Sequence, residues 1–191
     1  MRFLIAGLGN IGPDYEQTRH NVGFDVVNRL AEMNDATFTM ERLAFHATIR
    51  HRGHEVHLIR PTTLMNRSGR SVRYWLKEAK VPIDRLLVVV DELAYDLGKV
   101  KMKAAGSHGG HNGLRDIEET LGTRAYTRLR VGIGNDFPRG RQVDYVLGRW
   151  TENEAALLPL VVDRSVEACL DFVSLGTDRA MTATNSKPDL E

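Results

Sequence analysis

The residues of this sequence best suited to proton-transfer chemistry are a histidine and an aspartate that lie far apart along the chain. His20 comes just before a helical pattern, and Asp91 directly follows the apolar run Leu86–Val90. Histidine titrates near neutral pH, and a buried carboxylate beside it would fix its tautomer and stabilise the imidazolium. The placement of both residues near strand ends therefore makes His20, with Asp91 as its partner, a candidate for proton-transfer chemistry. The alternatives are a structural histidine and, for Asp91, a helix cap or a loop ion pair with Lys99.

Three asparagines accompany this pair. Asn10 lies in a glycine-rich turn after the first apolar run, whereas Asn66 and Asn112 each come at the start of a predicted helix. A carboxamide offers two donors and an acceptor, which suits it to hold a substrate amide or a developing oxyanion. Asparagine is also a good helix N-cap, so capping alone could explain Asn66 and Asn112.

The segment Gly7–Gly12 has the spacing G-x-G-x-x-G of a dinucleotide-binding turn. In that motif a helix begins within the turn, so that its N-terminus meets the pyrophosphate. Here Pro13 follows, and the helical pattern begins only near Asn21. Because the predicted helix starts so late, the glycines favour a turn that lets the backbone pass close to a ligand other than a dinucleotide. A nucleotide-dependent oxidoreductase stays open as an alternative, because Arg50 and Arg52 could accept a 2′-phosphate.

Basic residues are unevenly distributed, although 26 lysines and arginines face 25 aspartates and glutamates in the whole chain. Residues 1–150 hold 23 basic and 17 acidic side chains, and the remainder is acidic. Two alternating strand pairs, Lys101 with Lys103 and Arg128 with Arg130, favour phosphate contacts over a solvated face. A further set of basic residues falls on one face of a predicted helix, and it is equally consistent with phosphate contacts and with a solvated face. This stripe comprises Arg67, Arg70, Arg73, Lys77 and Lys80.

Several other kinds of site find no support in the sequence. A serine nucleophile lacks its G-x-S-x-G turn, and the single cysteine, Cys169, lies in an apolar helical stripe. His51, His54 and His57 flank a turn without a carboxylate or cysteine set to complete a metal site. No apolar run approaches the roughly 20 residues of a membrane span. We therefore expect a soluble, cytoplasmic protein without a bound metal.

Apolar runs that lack polar alternation predict central strands covered on both faces. The predicted strands are Arg2–Leu8, Phe45–Arg50, Glu55–Arg60, Leu86–Val90, Val100–Lys103 and Leu129–Ile133, of which the second and third form a hairpin. The predicted helices are Asn21–Met33, Ser71–Lys80, Gly113–Leu121 and Glu152–Leu175. This alternation predicts one α/β domain over residues 1–191, with a twisted, mixed and mostly parallel sheet between helices. Residues 177–191 are expected to be a frayed polar tail. Asn10 and Asp91 lie at the carboxyl ends of predicted strands, where such sheets bind ligands.

Seven short segments of the chain follow one another in a characteristic order. They are Gly7–Gly12 with Tyr15, Thr18–Phe24, Pro61–Gly69, Val88–Leu93, Gly98–Lys103, Gly106–Leu114 and Arg128–Gly134. Each segment alone is a weak signal. Together, in this order and spacing across residues 1–134, they resemble the bacterial-type peptidyl-tRNA hydrolase family, and the remaining length also suits that family.

The resemblance implies a monomeric enzyme, without a cofactor, that hydrolyses the ester joining a peptide to the 3′ ribose of tRNA and returns the tRNA to translation. It implies His20 as the base that activates water, Asp91 as the group that orients it, and Asn10 as a group that polarises the scissile region. The implied substrate contacts are Tyr15, Asn66, Asn112 and, steadying Asn112, His111. The implied neighbours of tRNA phosphate are Lys101, Lys103 and Arg130. No membrane and no obligate protein partner are implied.

The chain departs from the family pattern at three positions. Ile11 stands where many members have proline, and Ala94 and Asp96 alter the usual acidic and proline pattern after Asp91. None of the three removes a group that the resemblance assigns to catalysis. Besides the oxidoreductase, the competing hypothesis is a non-catalytic tRNA-binding module in which His20 and Asp91 are structural.

Overall fold

A computed structural model describes all 191 residues of the chain. Its strands are β1 (Arg2–Gly7), β2 (Thr39–Glu41), β3 (Ala44–His51), β4 (His54–Pro61), β5 (Leu86–Glu92), β6 (Val100–Lys103) and β7 (Thr127–Gly132). Its helices are α1 (Val22–Met33), α2 (Ser68–Glu78), α3 (Asn112–Leu121), α4 (Gln142–Val146), α5 (Glu152–Leu175) and α6 (Thr177–Asn185). Single turns of 3₁₀ helix occur at Pro13–Tyr15, Arg19–Asn21, Met65–Arg67 and Ile83–Arg85. None of the helices combines the length and the apolar character needed to cross a membrane.

The seven strands form one sheet in the order β2-β3-β4-β1-β5-β7-β6. The four central strands β4, β1, β5 and β7 run parallel, while β3 and β6 are antiparallel to their neighbours. The prediction of a mixed, mostly parallel sheet in a single α/β domain is confirmed. So is the predicted hairpin, which is formed by β3 and β4.

Helices cover both faces of the sheet, which is why β1 and β5 are apolar along most of their length. Successive side chains of β1 point to opposite faces. Ile5 joins a core with α1 and α5 that includes Phe172, whereas Leu4 joins a core with α2 and α3 that includes Trp75. The carboxyl ends of β1 and β5 therefore lie side by side between two packed layers.

Most element boundaries differ from the sequence prediction by a few residues, and the differences in β5 and α2 lie close to the site. Strand β5 continues through Asp91 to Glu92, because its ladder with β7 pairs Asp91 with Val131. Helix α2 begins at Ser68, three residues before the apolar pattern that predicted it. The longer strand matters for the site, since a rigid ladder, instead of a loop, holds the Asp91 side chain.

The prediction of a frayed tail over residues 177–191 is wrong. Helix α6 is formed there, and Ala180 is fully buried against the main core. Asn185 accepts a hydrogen bond from the Met102 amide at 2.8 Å and donates one to the Met102 carbonyl at 2.9 Å. These bonds satisfy the open edge of β6. The polar composition of this segment concealed the helix, because hydrogen bonds from the Asn185 side chain to a distant strand, which leave no local pattern, help to hold it in place.

Candidate active site

His20 and Asp91 are brought into direct contact at the carboxyl end of β5. The Nδ1 of His20 lies 2.7 Å from Oδ2 of Asp91, whose side chain is 3% exposed. Because an ionised carboxylate only accepts, Nδ1 of His20 carries a proton and donates it. Nε2 of His20 has no protein partner and faces the cleft described below. The ring therefore presents an available lone pair to whatever enters the cleft.

His111 forms a hydrogen bond with the second oxygen of the same carboxylate. Its Nε2 lies 2.7 Å from Oδ1 of Asp91, while its Nδ1 accepts hydrogen bonds from the amides of Gly113 and Leu114 at 3.1 and 3.3 Å. A nitrogen that accepts backbone N–H bonds carries no proton, so Nε2 is the protonated nitrogen and donates to Asp91. Asp91 thus receives two N–H donors and is fixed in one orientation.

Electrostatics in this triad favour a charged Asp91 and a basic His20. Burial alone would raise the pKa of Asp91, but the charges of both histidines and their hydrogen bonds hold it well below its usual range. For His20, burial lowers the pKa, but the charge of Asp91 and its hydrogen bond outweigh this and raise the pKa above the ordinary histidine value. His20 therefore gains proton affinity from its carboxylate partner.

The turn that carries His20 is anchored by its buried neighbour Arg19. The Arg19 guanidinium binds both carboxylate oxygens of Glu154, at 2.7 and 3.4 Å, and donates to the Tyr145 carbonyl at 3.1 Å. It also lies 4.1 Å from the centre of the Tyr145 ring. The forked geometry of arginine suits this combination of partners. The backbone before His20 is consequently tied to the start of α5.

Asn10 is held in a single orientation by groups on two other segments. Asn21 accepts from the Asn10 amide at 2.8 Å and donates to the Asn10 carbonyl at 2.9 Å. The Oδ1 of Asn10 accepts from the Met65 amide at 2.7 Å. Since a backbone N–H can only donate, this bond assigns oxygen and nitrogen of the Asn10 carboxamide without ambiguity. Its NH₂ group remains free to donate to a ligand.

A cleft of about 300 Å³ opens beside His20. It is lined by Asn10, Tyr15, His20, Leu64, Met65, Asn66, Asn112, Val143, Val146 and Leu147. All three predicted asparagines and Tyr15 thus meet around one space. Apolar groups on α4 and at Leu64 form the remaining wall. The cleft can accommodate a partly apolar ligand whose amide groups bind carboxamides.

Helix capping does not explain the two outer asparagines. His111 is the N-cap of α3, whereas Asn112 is the first residue of that helix and accepts from Arg115 at 3.2 Å. Asn66 lies exposed within the turn Met65–Arg67 and makes no capping bond. The ion pair of Asp91 with Lys99 is also not formed. The positions of Asn66 and Asn112 are therefore explained better by the cleft than by local structure.

Comparison with known proteins identifies the family. A family model described as peptidyl-tRNA hydrolase matches residues 4–191. The chain belongs to this family. Relatives named peptidyl-tRNA hydrolase include proteins of Cytophaga hutchinsonii and Parabacteroides distasonis, 46% and 47% identical to this chain over 187 residues. Each of these alignments covers 98% of this chain and 100% of the relative.

Solved structures agree with the family assignment. The crystal structure of peptidyl-tRNA hydrolase from Acinetobacter baumannii superposes with a TM-score of 0.90 at 36% sequence identity. The match covers 96% of this chain and 94% of that chain. The resemblance carried by the seven sequence segments is confirmed.

The basic residues have different environments in this peptidyl-tRNA hydrolase family member. The predicted phosphate contact of Arg128 is wrong, because its guanidinium is fully buried and donates to the carbonyls of Gly106, Arg124 and Tyr126 at 2.7–3.0 Å. Arg130 is 9% exposed and is engaged by Glu92 at 2.7 Å. Strand alternation predicts which residues share a face, but it does not tell whether that face is open to solvent.

Two other groups of basic residues reach solvent. Lys103 is exposed, whereas Lys101 is half-buried and donates to the Asn185 carbonyl at 2.7 Å. The basic stripe along α2 is exposed, with Arg70, Arg73 and Lys77 on the helix, Arg67 just before it and Lys80 just after it. None of these residues forms a salt bridge. Lys103 therefore has the geometry of a phosphate contact more clearly than Arg130 does.

Ligand-capable atoms of His20, Asp91 and His111 lie within 4.8 Å of one another, close enough for a metal ion. An ion there would have to displace both ring protons that Asp91 accepts, so the arrangement favours proton transfer. Sequence reasoning overlooked the anchoring roles of Arg19 and Asn21. Both flank His20 in the segment Thr18–Phe24, but their partners lie on distant elements that no local pattern reveals.

Proposed function

We propose that this chain hydrolyses the ester between a peptide and the 3′ ribose of tRNA, with water activated by His20. The observation that carries the proposal is the 2.7 Å bond from Nδ1 of His20 to Asp91, which leaves Nε2 free beside a cleft of three carboxamides. A free imidazole nitrogen oriented by a buried carboxylate is the arrangement that general-base hydrolysis requires.

The reaction proceeds by proton transfer at one atom. Nε2 of His20 takes a proton from water as the water oxygen bonds to the ester carbonyl carbon. The carbonyl oxygen becomes an oxyanion, and the resulting imidazolium is stabilised by Asp91. When the carbon–oxygen bond to the ribose breaks, the imidazolium returns the proton to the 3′ oxygen. The products are a peptide carboxylic acid and tRNA with a free 3′ hydroxyl.

The carboxamides divide binding and catalysis among them. The free NH₂ group of Asn10 donates to the scissile region, where negative charge develops. Asn66 and Asn112 bind the amide backbone of the peptide, with Tyr15 on the same wall. A substrate lacking that amide loses these hydrogen bonds, so the site selects N-acylated over free aminoacyl-tRNA.

The tRNA itself is held by charge. Lys103 and the α2 stripe contact phosphates independently of sequence, which suits an enzyme that accepts many tRNAs. Lys101 and Arg130 support that surface through Asn185 and Glu92. We expect the enzyme to act as a monomer in the cytoplasm, and the proton transfers described above require no metal or organic cofactor.

The deciding experiment measures release of N-acetyl-amino acid from an N-acetyl-aminoacyl-tRNA, with and without EDTA. The wild-type chain is compared with His20→Ala and with a matched control, His51→Ala, on the hairpin away from the cleft. A free aminoacyl-tRNA serves as the second substrate. We expect turnover by wild type and by His51→Ala only, selective for the acetylated substrate and unaffected by EDTA.

Other outcomes point to the competing hypotheses. Binding of tRNA without turnover by the folded wild type would indicate a non-catalytic module. Normal turnover by His20→Ala would remove the general-base assignment. The oxidoreductase finds no support in the fold, because α1 begins only at Val22, after the turn Gly7–Gly12 and the loop that follows it, whereas the dinucleotide motif has its helix begin within the turn.

A further inference from the structure

A second cluster of titratable side chains lies on the neighbouring strands β2, β3 and β4, which β1 separates from the strand of Asp91. The Nε2 of His46 lies 2.8 Å from Nδ1 of His57. The Nδ1 of His46 lies 2.5 Å from Glu41, and the Nε2 of His57 lies 2.7 Å from Glu55. The four side chains thus form one continuous chain of hydrogen bonds. The sequence expectation that no carboxylate accompanies His51, His54 and His57 is therefore wrong for His57, which contacts Glu55.

The hydrogen-bond geometry determines how many protons the two imidazole rings carry. Two N–H groups cannot face each other at 2.8 Å, so one proton lies between His46 and His57. Each outer nitrogen donates to a glutamate, which requires two more protons. Three protons therefore occupy four ring nitrogens, and one of the two facing nitrogens presents a lone pair.

We propose that His46 and His57 form a binding site for one divalent transition-metal ion that prefers imidazole, such as Zn²⁺ or Cu²⁺. The ion takes the place of the shared proton, which is released to solvent. Nε2 of His46 and Nδ1 of His57 become its ligands. Both rings are then neutral and keep their N–H bonds to the glutamates.

The surroundings of the pair match those of metal-binding histidines. Such histidines almost always donate their second ring N–H to a carboxylate, which fixes the tautomer and raises ligand basicity. Glu41 and Glu55 occupy those positions for His46 and His57. The two carboxylates also neutralise the dipositive charge of the ion. This carboxylate support on both rings distinguishes the pair from a solvated histidine contact.

Space and access are also adequate. Two zinc–nitrogen bonds at a tetrahedral angle place the nitrogens roughly 3.3 Å apart, so the rings need to separate by about 0.5 Å and to tilt until both lone pairs point at the ion. The side chain of His46 is 16% exposed, and that of Glu41 is 42% exposed. Thr48 is exposed, and its hydroxyl oxygen lies 3.4 Å from Nε2 of His46. Water can therefore complete the coordination from that side.

The first test is calorimetric titration of the full-length protein with Zn²⁺. We expect one ion per chain in the wild type, with affinity lowered more than about 10-fold in His46→Gln and His57→Gln. Glu55→Gln keeps both ligands and should lose about 10-fold in affinity. Two controls should bind as the wild type does: His54→Gln on the same hairpin, and His20→Ala in the catalytic cleft. Circular dichroism and hydrolase activity report whether the hairpin variants fold.

A second test needs no substitution. Trp75 stacks on His46 with ring centres 4.3 Å apart, whereas Trp150 lies beside Arg19, next to His20. Paramagnetic Cu²⁺ should broaden the indole N–H signal of Trp75 in the ¹⁵N spectrum before that of Trp150. Broadening of Trp150 first, or zinc binding abolished only in His20→Ala, would place the ion in the cleft and overturn the proposal. Zinc binding by the wild type that does not saturate would overturn the proposal as well. So would an unchanged zinc affinity in both His46→Gln and His57→Gln.

Discussion

The side chain of Asn21 binds the backbone of Asn10 through both of its polar atoms, donating to the carbonyl and accepting from the amide. The residue directly after His20 thereby positions the turn that carries Asn10. Histidine and carboxamide are consequently coupled within one rigid unit. Displacement of either group by an ångström would misalign the water and the carbonyl that it attacks.

Asn21→Asp tests this coupling. The carboxylate keeps the acceptor but faces the Asn10 carbonyl without a donor, so we expect kcat to fall by about 100-fold. The matched control is Asn34→Asp, which removes a comparable donor bond to the Leu30 carbonyl at the end of α1. Urea unfolding should show a loss of stability in both variants, with activity lost only in Asn21→Asp. Equal activity in the two variants would contradict the coupling.

The pH dependence of kcat/KM reports the protonation of His20. Activity requires the unprotonated base, and Asp91 raises the pKa of His20 despite burial, so activity should rise with pH with a midpoint above the ordinary histidine value. Asp91→Asn removes the negative charge and leaves the effect of burial, so the midpoint should move to lower pH. The plateau should also fall, by roughly 100-fold or more. An unmoved midpoint would show that Asp91 does not control the base.

His111 caps α3 and also donates to Asp91, and two variants can separate these contributions. His111→Ala removes the cap of α3 and should destabilise the fold by about 1–2 kcal/mol. His111→Asn restores a good cap but cannot donate to Asp91 as the imidazole does. We expect unfolding experiments to show recovered stability in His111→Asn, with kcat as low as in His111→Ala. Full recovery of kcat would mean that capping is the only role of His111.

Arg128 should behave as a structural residue. Its guanidinium satisfies three backbone carbonyls and fixes the Gly106 backbone ahead of His111. Arg128→Met leaves these carbonyls unpaired and should lower the free energy of unfolding by about 3 kcal/mol. Arg128→Lys should rescue little, because an ammonium lacks the planar fork. A stable Arg128→Met variant with weakened tRNA affinity would instead restore the phosphate-contact interpretation.

Lys103→Ala should change the salt dependence of tRNA binding. Loss of one phosphate contact should make the slope of log affinity against log salt shallower by about one, so the defect is greater at low salt. Arg52→Ala, on the exposed turn between β3 and β4, is the matched control and should keep the wild-type slope. Binding curves at several salt concentrations measure both. Equal slopes for Lys103→Ala and wild type would remove the assignment.

Much of the architecture could be predicted because its causes are local. The continuous apolar run of β5 and the periodic apolar positions of α5 each indicate an element and its burial. Helix α6 was missed because its contacts to β6 come from Asn185 and from backbone groups, which follow no hydrophobic period. Arg128 was misassigned for a related reason, since a charged residue on a strand looks the same in sequence whether it is solvated or buried.

The sequence by itself determined the family, the α/β class and the residue types that meet in the cleft, because ordered motifs and hydrophobic periodicity are written along the chain. Only the tertiary structure decided which atoms face each other. It shows which nitrogen of His111 carries the proton, leaves Nε2 of His20 without a protein partner beside the cleft, and places His46 and His57 within hydrogen-bond distance of each other. The physical reason is that hydrogen-bond geometry depends on distances and angles between segments far apart in sequence, and a linear pattern specifies neither.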